Sequence, residues 1–186
     1  MSDNVILVGF MGAGKSSVGH ILARRLGRCF VETDDMITAR EGRPIPEIFA
    51  DKGEAHFRAL EEETLRLLAL KRGDVIATGG GLPCRDGRVE ALRTMGTVVW
   101  LSGDLAALYE RALRSGERPM LRGKTREEVE ALYKRREPFY AKADLSVDTT
   151  GLNPDQVAAE VVKALQGRGR LPHPTLSHHG DQGASS

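Results

Sequence analysis

Apolar residues along the chain follow two alternating spacings, that of short strands and that of amphipathic helices. Five short runs of β-branched and other apolar residues are separated by longer segments in which apolar residues recur at helical spacing. The runs cover residues 5–8, 29–31, 75–77, 97–101 and 145–147. Strands that alternate with helices form a parallel sheet covered on both faces. The pattern therefore predicts an α/β fold with a five-stranded parallel sheet flanked by helices.

Three helices are also marked by residues typical of helix ends. The first follows residues 9–16 and stops at Gly27, where a C-terminal cap is expected. A second is predicted over about residues 54–71. The last opens at Asn153 and Pro154, a cap and first-turn pair. After Gln166 the chain is rich in Gly, Pro, Ser and His, with too little apolar surface to offset the entropy of ordering. We expect a folded domain over residues 1–166 and a disordered tail over residues 167–186.

Composition and charge exclude several classes of protein. The chain has 27 lysines and arginines against 26 aspartates and glutamates, so no global field favours nucleic acid or anionic lipid. No apolar stretch approaches the roughly 18 residues needed to span a bilayer, and no signal peptide precedes the first strand. We expect a cytoplasmic monomer that binds neither nucleic acid nor membranes. The two cysteines, Cys29 and Cys84, are too few for a disulfide framework and are predicted to be reduced structural residues.

Residues 9–16, GFMGAGKS, lie between the first strand and the first helix and fit the phosphate-loop pattern GxxxxGK[ST]. In this pattern backbone N–H groups surround phosphate oxygens, and the helix N-terminus adds positive charge. Lys15 then reaches the β- and γ-phosphates, and the Ser16 hydroxyl ligates the Mg²⁺ that accompanies ATP. The motif predicts binding of a nucleoside triphosphate and leaves kinase, ATPase and GTPase open. The sequence lacks the NKxD motif expected of a GTPase.

Carboxylate side chains follow the second predicted strand, and three glycines follow the third. Both groups lie at the sheet edge where parallel α/β folds bind ligands. Glu32, Asp34 and Asp35 can hold Mg²⁺ through water or accept the proton of an attacking hydroxyl. Simple N-cap carboxylates are the alternative, which suits Asp35 better than Asp34. Residues 79–81 are three consecutive glycines that let a ligand approach the main chain, with a plain tight turn as the alternative.

Three arginines in separate segments supply capacity to bind anions. Arg58 lies at the start of a predicted helix, Arg118 in a glycine-flanked segment, and Arg136 before a Glu-Pro pair. A guanidinium group matches a planar carboxylate or a migrating phosphoryl group. Residues 114–125 are predicted to form a polar lid between two helices. Such a lid excludes water so that ATP is not simply hydrolysed.

Taken together, these segments resemble shikimate kinases over about residues 4–166. The resemblance rests on GFMGAGKSSVG, FVETD, GEAHFRALEE, TGGG, ERPML, KRREPFY and DTTGLNP, in that order. It implies transfer of the γ-phosphoryl group of ATP to the 3-hydroxyl of shikimate, giving shikimate 3-phosphate and ADP, in aromatic amino-acid biosynthesis. It also implies Mg²⁺ as cofactor and the three-layer fold of the P-loop nucleoside monophosphate kinases, with residues 1–166 as the kinase domain.

The resemblance further implies roles for individual residues. Asp34 would hydrogen-bond the ring hydroxyls and either orient or deprotonate the attacking oxygen, and Lys15 and Arg118 would contact the transferred phosphate. The implied ATP-binding residues are Gly12, Ala13, Gly14, Lys15, Ser16, Ser17, Arg111, Arg118, Asn153 and Pro154. The implied shikimate-binding residues are Asp34, Arg58, Glu61, Gly79, Gly80, Gly81 and Arg136, with Glu61 positioning an arginine.

One position departs from the commonest family pattern, because Glu32 stands where an aspartate is usual. Its longer side chain leaves open whether it meets Mg²⁺ directly or through water; Ser16 and Glu32 are the predicted metal ligands. Two other functions remain as alternatives. One is a P-loop kinase acting on gluconate or another polyol acid. The other is a regulatory nucleotide-binding module without catalysis, although the chain retains Lys15, Asp34 and the lid arginine.

Overall fold

The computed structural model describes residues 3–114 and 125–168 of the chain. Most of the predicted lid and tail, including Arg118, lies outside these ranges. The described elements are, in chain order, β1 (Asn4–Val8), α1 (Lys15–Leu26), β2 (Phe30–Glu32), α2 (Thr33–Glu41), α3 (Ile45–Leu68), β3 (Val75–Ala77), α4 (Arg88–Met95), β4 (Gly96–Ser102), α5 (Leu105–Arg114), α6 (Arg126–Tyr140), β5 (Leu145–Asp148) and α7 (Pro154–Gly167).

The strands form one sheet in the order β2-β3-β1-β4-β5, and every neighbouring pair is parallel. β1 lies at the centre, paired with β3 on one side and β4 on the other. The chain first adds β2 and β3 on one side of β1 and then crosses to add β4 and β5 on the other side. Such a change of side is called a switch point, and α/β folds bind ligands there. The segment that follows β1 is the predicted phosphate loop, so the topology places it at the middle of the binding edge.

Helices cover both faces of this sheet. All five residues of β1 are buried, and successive side chains of a strand point to opposite faces, so neither face meets solvent there. The main core joins β1, β3 and β4 to apolar residues of α1, α4, α5 and α7. The prediction of a five-stranded parallel sheet flanked by helices is therefore confirmed.

The helix predicted over residues 54–71 corresponds to the second part of a longer helix, α3. This helix starts at Ile45, before the predicted start, and ends at Leu68, before the predicted end. Gly53, with φ at 74°, interrupts the helix, and the apolar stripe restarts after this break. Both parts of α3 pack with α2 around a second small core made by Ile37, Ile48, Phe57 and Leu60. Leu65 and Leu68, near the end of α3, belong to the main core instead.

The last helix, α7, begins with the predicted cap. The Asn153 side chain accepts a hydrogen bond from the backbone N–H of Gln156, and the Gln156 side chain accepts one from the N–H of Asn153. The helix ends at Gly167, one residue past the boundary that the composition indicated. Within the part of the chain that the structure describes, no helix is both long and apolar enough to cross a membrane.

Candidate active site

The phosphate loop, residues 9–16, links the buried end of β1 to the first turn of α1. Lys15 is buried, and its Nζ donates hydrogen bonds to the backbone oxygens of Gly9 at 3.0 Å and Phe10 at 3.1 Å. Gly12 has φ at 77°, and a Cβ there would overlap the backbone oxygen of Leu108 on α5. The loop is therefore held closed by its own lysine and by contact with α5. Its shape and positive charge suit a polyphosphate.

Ser16 and Glu32, the two predicted metal ligands, meet beside this loop. The Ser16 hydroxyl donates to Oε1 of Glu32 at 2.6 Å, joining the first turn of α1 to the last residue of β2. Both contribute hard oxygen atoms, and Mg²⁺ usually takes one or two protein oxygens together with phosphate oxygens and water. Within residues 3–114 and 125–168 no group of three or more His, Cys, Asp or Glu side chains is placed to hold a metal ion. The arrangement fits Mg²⁺ that arrives with ATP.

Asp34, in the first turn of α2, lies against the glycine segment, which we define as Gly79, Gly80 and Gly81. A Cβ on Gly79 would overlap Oδ1 of Asp34, so only glycine leaves room for the carboxylate at this place. The neighbouring Thr33 hydroxyl accepts a hydrogen bond from the N–H of Gly79 at 2.8 Å. β2 and β3 pair in parallel, and this pairing brings the two segments together at the binding edge.

Arg58 reaches the glycine segment from α3. Its Nη1 donates to Oε2 of Glu61 at 2.8 Å, and Nε and Nη2 donate to Oε1 of Glu54 at 3.1 and 2.8 Å. Glu61 is only 4% exposed, so its carboxylate needs this partner. Burial lowers the pKa of Arg58, but the hydrogen bonds to Glu61 and Glu54 outweigh it and the net pKa is raised. Arg58 is thus a permanently charged group held in place by two carboxylates.

Arg136 reaches the same segment from the opposite side, on α6. A Cβ on Gly80 would lie 3.4 Å from its Nη1, and a Cβ on Gly81 would lie 3.4 Å from its Nη2 and 3.7 Å from Nη1 of Arg58. The two guanidinium groups therefore converge on Gly81. They line one cavity of about 520 Å³, together with Arg85, Arg135 and other residues. We call Asp34, Arg58, the glycine segment and Arg136 the acceptor pocket.

The phosphate loop and the acceptor pocket adjoin each other, and we call the two together the crevice. A Cβ on Gly80 would lie 3.6 Å from the backbone oxygen of Gly9, which also accepts a hydrogen bond from Lys15. The lysine of the loop and the arginine pair are therefore separated by little more than one peptide group. An anionic acceptor held by Arg58 and Arg136 would lie next to phosphates held by the loop, which is the arrangement that direct phosphoryl transfer needs.

Arg111, Asn153 and Pro154, predicted to bind the nucleotide base, lie on the other side of the loop. Arg111 belongs to α5, and its Nη2 donates to Oγ1 of Thr149, just after β5, at 3.0 Å. This bond holds the guanidinium group against the segment that leads to Asn153. The side-chain oxygen of Asn153 caps α7, so any contact with a base falls to other atoms of the segment.

Sequence reasoning missed several residues that shape the pocket. Glu54 binds Arg58, Arg135 lines the cavity, and the buried Tyr140 donates from its hydroxyl to the Gly80 oxygen at 2.6 Å. Tyr140 stands four residues after Arg136, so helical spacing was a usable signal for it. Cys84 and Cys29 are both free thiols, and Cys29 is exposed, so it does not belong to the core.

Comparison with known proteins gives a consistent result. A family model described as shikimate kinase matches residues 11–166. The curated shikimate kinase of Moorella thermoacetica is 44% identical over 166 residues, covering 89% of this chain and 96% of the relative. That of Thermodesulfovibrio yellowstonii is 41% identical over 164 residues, covering 88% and 95%.

Solved structures agree with this match. Shikimate kinase from Acinetobacter baumannii in complex with shikimate is 34% identical, with a TM-score of 0.84 over 90% of this chain and 95% of that one. Thymidylate kinase from Candida albicans is 14% identical with a TM-score of 0.59, covering 91% and 93%, and shows likeness of fold alone. The predicted nucleoside monophosphate kinase-like fold is confirmed by these neighbours.

Proposed function

The chain belongs to the shikimate kinase family, whose ATP-dependent reaction serves aromatic amino-acid biosynthesis, and we propose that this chain carries out the reaction in the crevice described above. The reaction moves the γ-phosphoryl group of ATP to the 3-hydroxyl of shikimate, releasing shikimate 3-phosphate and ADP. One observation carries the assignment to this crevice. The guanidinium groups of Arg58 and Arg136 converge on Gly81, and a Cβ on the adjoining Gly80 would lie 3.6 Å from the Gly9 oxygen that accepts from Lys15.

We assign the triphosphate of ATP to the phosphate loop. Backbone N–H groups of residues 12–17 surround the phosphates, and Lys15 turns from the Gly9 and Phe10 oxygens to the β- and γ-phosphates. A phosphoryl group in transfer carries spread negative charge, and a preorganised cation lowers the cost of developing it. Arg111, Asn153 and Pro154 are proposed to line the site of the adenine base. Arg118 is proposed to contact the transferred phosphate from a lid over residues 114–125, on the resemblance alone.

Mg²⁺ is the proposed cofactor, with Ser16 and Glu32 as its protein ligands. When bound, the ion neutralises charge on the phosphate oxygens. The Ser16 hydroxyl now donates to Glu32, so one of these two oxygen ligands must turn, or contact the ion through water. Glu32 has one methylene more than aspartate, and this reach spans the gap between β2 and the loop.

The acceptor pocket is proposed to orient shikimate by its two ends. Arg58 and Arg136 bind the carboxylate, and the forked guanidinium group matches its two oxygens. Asp34 accepts a hydrogen bond from the ring hydroxyl that attacks and either orients it or takes its proton. Glu61 keeps Arg58 aimed at the pocket through the 2.8 Å contact. The attacking oxygen is thereby presented to the phosphates at short range.

A coupled assay of ADP release tests this proposal. With ATP and Mg²⁺ present, we expect fast release with shikimate, and slow release with quinate, gluconate or no acceptor. Equal rates with gluconate would indicate the polyol-acid kinase, and no release with any acceptor would indicate a module without catalysis.

Three further properties of the chain stay predictions. Gel filtration tests the monomeric state, and cell fractionation tests the cytoplasmic location. Binding assays test the expected lack of binding to nucleic acid and membranes.

A further inference from the structure

Two buried hydroxyl groups hold the glycine segment from opposite sides. On the side of Asp34, the Thr33 hydroxyl accepts from the N–H of Gly79 at 2.8 Å. On the side of Arg136, the Tyr140 hydroxyl donates to the oxygen of Gly80 at 2.6 Å. Both hydroxyl-bearing residues are fully buried. Glycine backbone is the most conformationally free in a chain, so these two bonds set the shape of the segment.

The Tyr140 hydroxyl lies beside Arg136. The two residues are one turn apart on the same face of α6, and a Cβ on Gly80 would lie 3.4 Å from Arg136 Nη1 and 3.8 Å from the Tyr140 hydroxyl oxygen. A phenol has one proton to give and can accept as well, while a guanidinium group can only donate. With the Tyr140 proton on the Gly80 oxygen, the phenol oxygen can offer the neighbouring guanidinium group only an acceptor.

Fixing the position of the Gly80 oxygen also fixes the direction of the N–H group of Gly81. The peptide group is planar and trans, so the N–H of Gly81 points opposite to the oxygen of Gly80. Gly81 lines the acceptor cavity, together with Arg58 and Arg136. The bond from Tyr140 therefore sets the direction of a backbone donor in the wall of the cavity.

We propose that Tyr140 is a positioning residue for shikimate: its hydroxyl presets Arg136 and the Gly80–Gly81 peptide group in the geometry that receives the carboxylate. This inference rests on the proposed function of the acceptor pocket. The ring of Tyr140 packs at the core, 6.3 Å from the Trp100 ring, and would do so equally without its oxygen. The hydroxyl is therefore separable from the packing.

The hydroxyl stays a donor throughout the working range of pH. Burial, followed by the neighbouring Cys84 thiol, raises the pKa of Tyr140 well above its usual value. The Cys84 Sγ is the other donor to the Gly80 oxygen, at 3.3 Å, and a thiol is a weak donor. Loss of the Tyr140 hydroxyl would leave the Gly80 oxygen with that weak contact.

The test compares Tyr140→Phe with Tyr133→Phe. Tyr133 lies on the same helix, and its hydroxyl donates to Glu137 at 3.2 Å, away from the glycine segment. For Tyr140→Phe we expect the KM for shikimate to rise about fivefold, the size of one neutral hydrogen bond, with the KM for ATP unchanged. Tyr133→Phe is expected to leave both constants unchanged. A KM for shikimate in Tyr140→Phe equal to that of the parent would overturn the proposal, as would equal rises for both substrates.

A double-mutant cycle with Arg136→Lys separates positioning from general stability. If Tyr140 acts through Arg136, removing its hydroxyl from the Arg136→Lys enzyme should raise the KM for shikimate by less than it does in the parent. Equal effects in both backgrounds would contradict that route. Thermal unfolding of each variant shows whether all are folded at the assay temperature. If the parent enzyme turns over shikimate and Tyr140→Phe has the same KM for shikimate, this inference is refuted and the proposed function stands.

Discussion

The phosphate loop and the acceptor pocket adjoin each other in the crevice, yet they are built in opposite ways. The loop is eight consecutive residues whose lysine is bonded to the loop's own backbone. The pocket is drawn from α2, α3, the glycine segment and α6. Hydrogen bonds from α2 and α6 hold the glycine segment, and Arg58 is held within α3 by Glu61. Damage to the loop is therefore expected to act on the chemical step. Damage to the pocket instead acts mainly on binding of the acceptor.

The strongest test of this contrast is Lys15→Ala. We expect turnover to fall about 10³-fold, because the phosphoryl group in transfer loses its nearest cation, while binding of shikimate alone is little changed. The measurement is steady-state kinetics together with shikimate binding by calorimetry. Lys163→Ala, which removes an exposed pair with Glu160 on α7, serves as control. Turnover within tenfold of the parent would reject the function assigned to Lys15.

Gly79→Ala tests the close approach on which the pocket depends. The added methyl group would overlap Asp34 Oδ1, so we expect the carboxylate to shift and kcat/KM for shikimate to fall about 10²-fold. The matched control is Gly167→Ala, at the end of α7, where a Cβ meets nothing within 4 Å. If both variants keep the parent's kcat/KM, the position of Asp34 is not limiting.

Arg136→Ala is expected to act on the acceptor side alone. The KM for shikimate should rise about 30-fold, as for loss of a charged hydrogen bond, and the KM for ATP should stay constant. Arg25→Ala, which removes an exposed pair with Asp155, controls for loss of a positive charge. A change confined to ATP would place Arg136 in the other half of the crevice and break the comparison.

Glu32→Ala tests the contact between the two halves of the metal site. Because Glu32 accepts from Ser16, we expect the Mg²⁺ concentration for half-maximal rate to rise about tenfold, with shikimate affinity unchanged. A titration of Mg²⁺ at saturating ATP and shikimate measures it. Glu110→Ala on the surface of α5 is the control. An unchanged Mg²⁺ dependence would remove Glu32 from the surroundings of the metal.

The smallest effect is expected at Glu41, which joins the end of α2 to α3. Hydrogen bonds from Lys52 and then His56, both at 2.9 Å, lower the pKa of Glu41 from 4.5 to about 2. A depressed carboxyl pKa stabilises the fold above pH 4.5, and this stability is lost as pH falls toward 2. Urea unfolding between pH 3 and pH 6 should therefore depend less on pH in Glu41→Gln. The same slope in parent and variant would contradict this linkage.

The same difference explains why the phosphate loop could be predicted from the sequence more fully than the acceptor pocket. Residues 9–16 were recognisable because the strand, glycines, lysine and helix that bind phosphate follow one another in the chain. Arg58 and Arg136 became candidates only in company with the phosphate loop, since a single arginine has no periodicity that marks it, and their individual roles came from resemblance to a family. Glu54 and Tyr140 gave weaker signals still, because their contacts depend on how α3 and α6 are docked on the sheet.

Sequence patterns predicted the five parallel strands, the positions of three helices and the phosphate loop, because each depends on residues that are neighbours along the chain. The start of α3 was missed because Gly53 breaks the apolar stripe in two. Only the tertiary structure decided that the Asp34 carboxylate fits against Gly79 and that two guanidinium groups meet at Gly81. Those distances follow from the packing of whole helices against the sheet, and no local spacing encodes them.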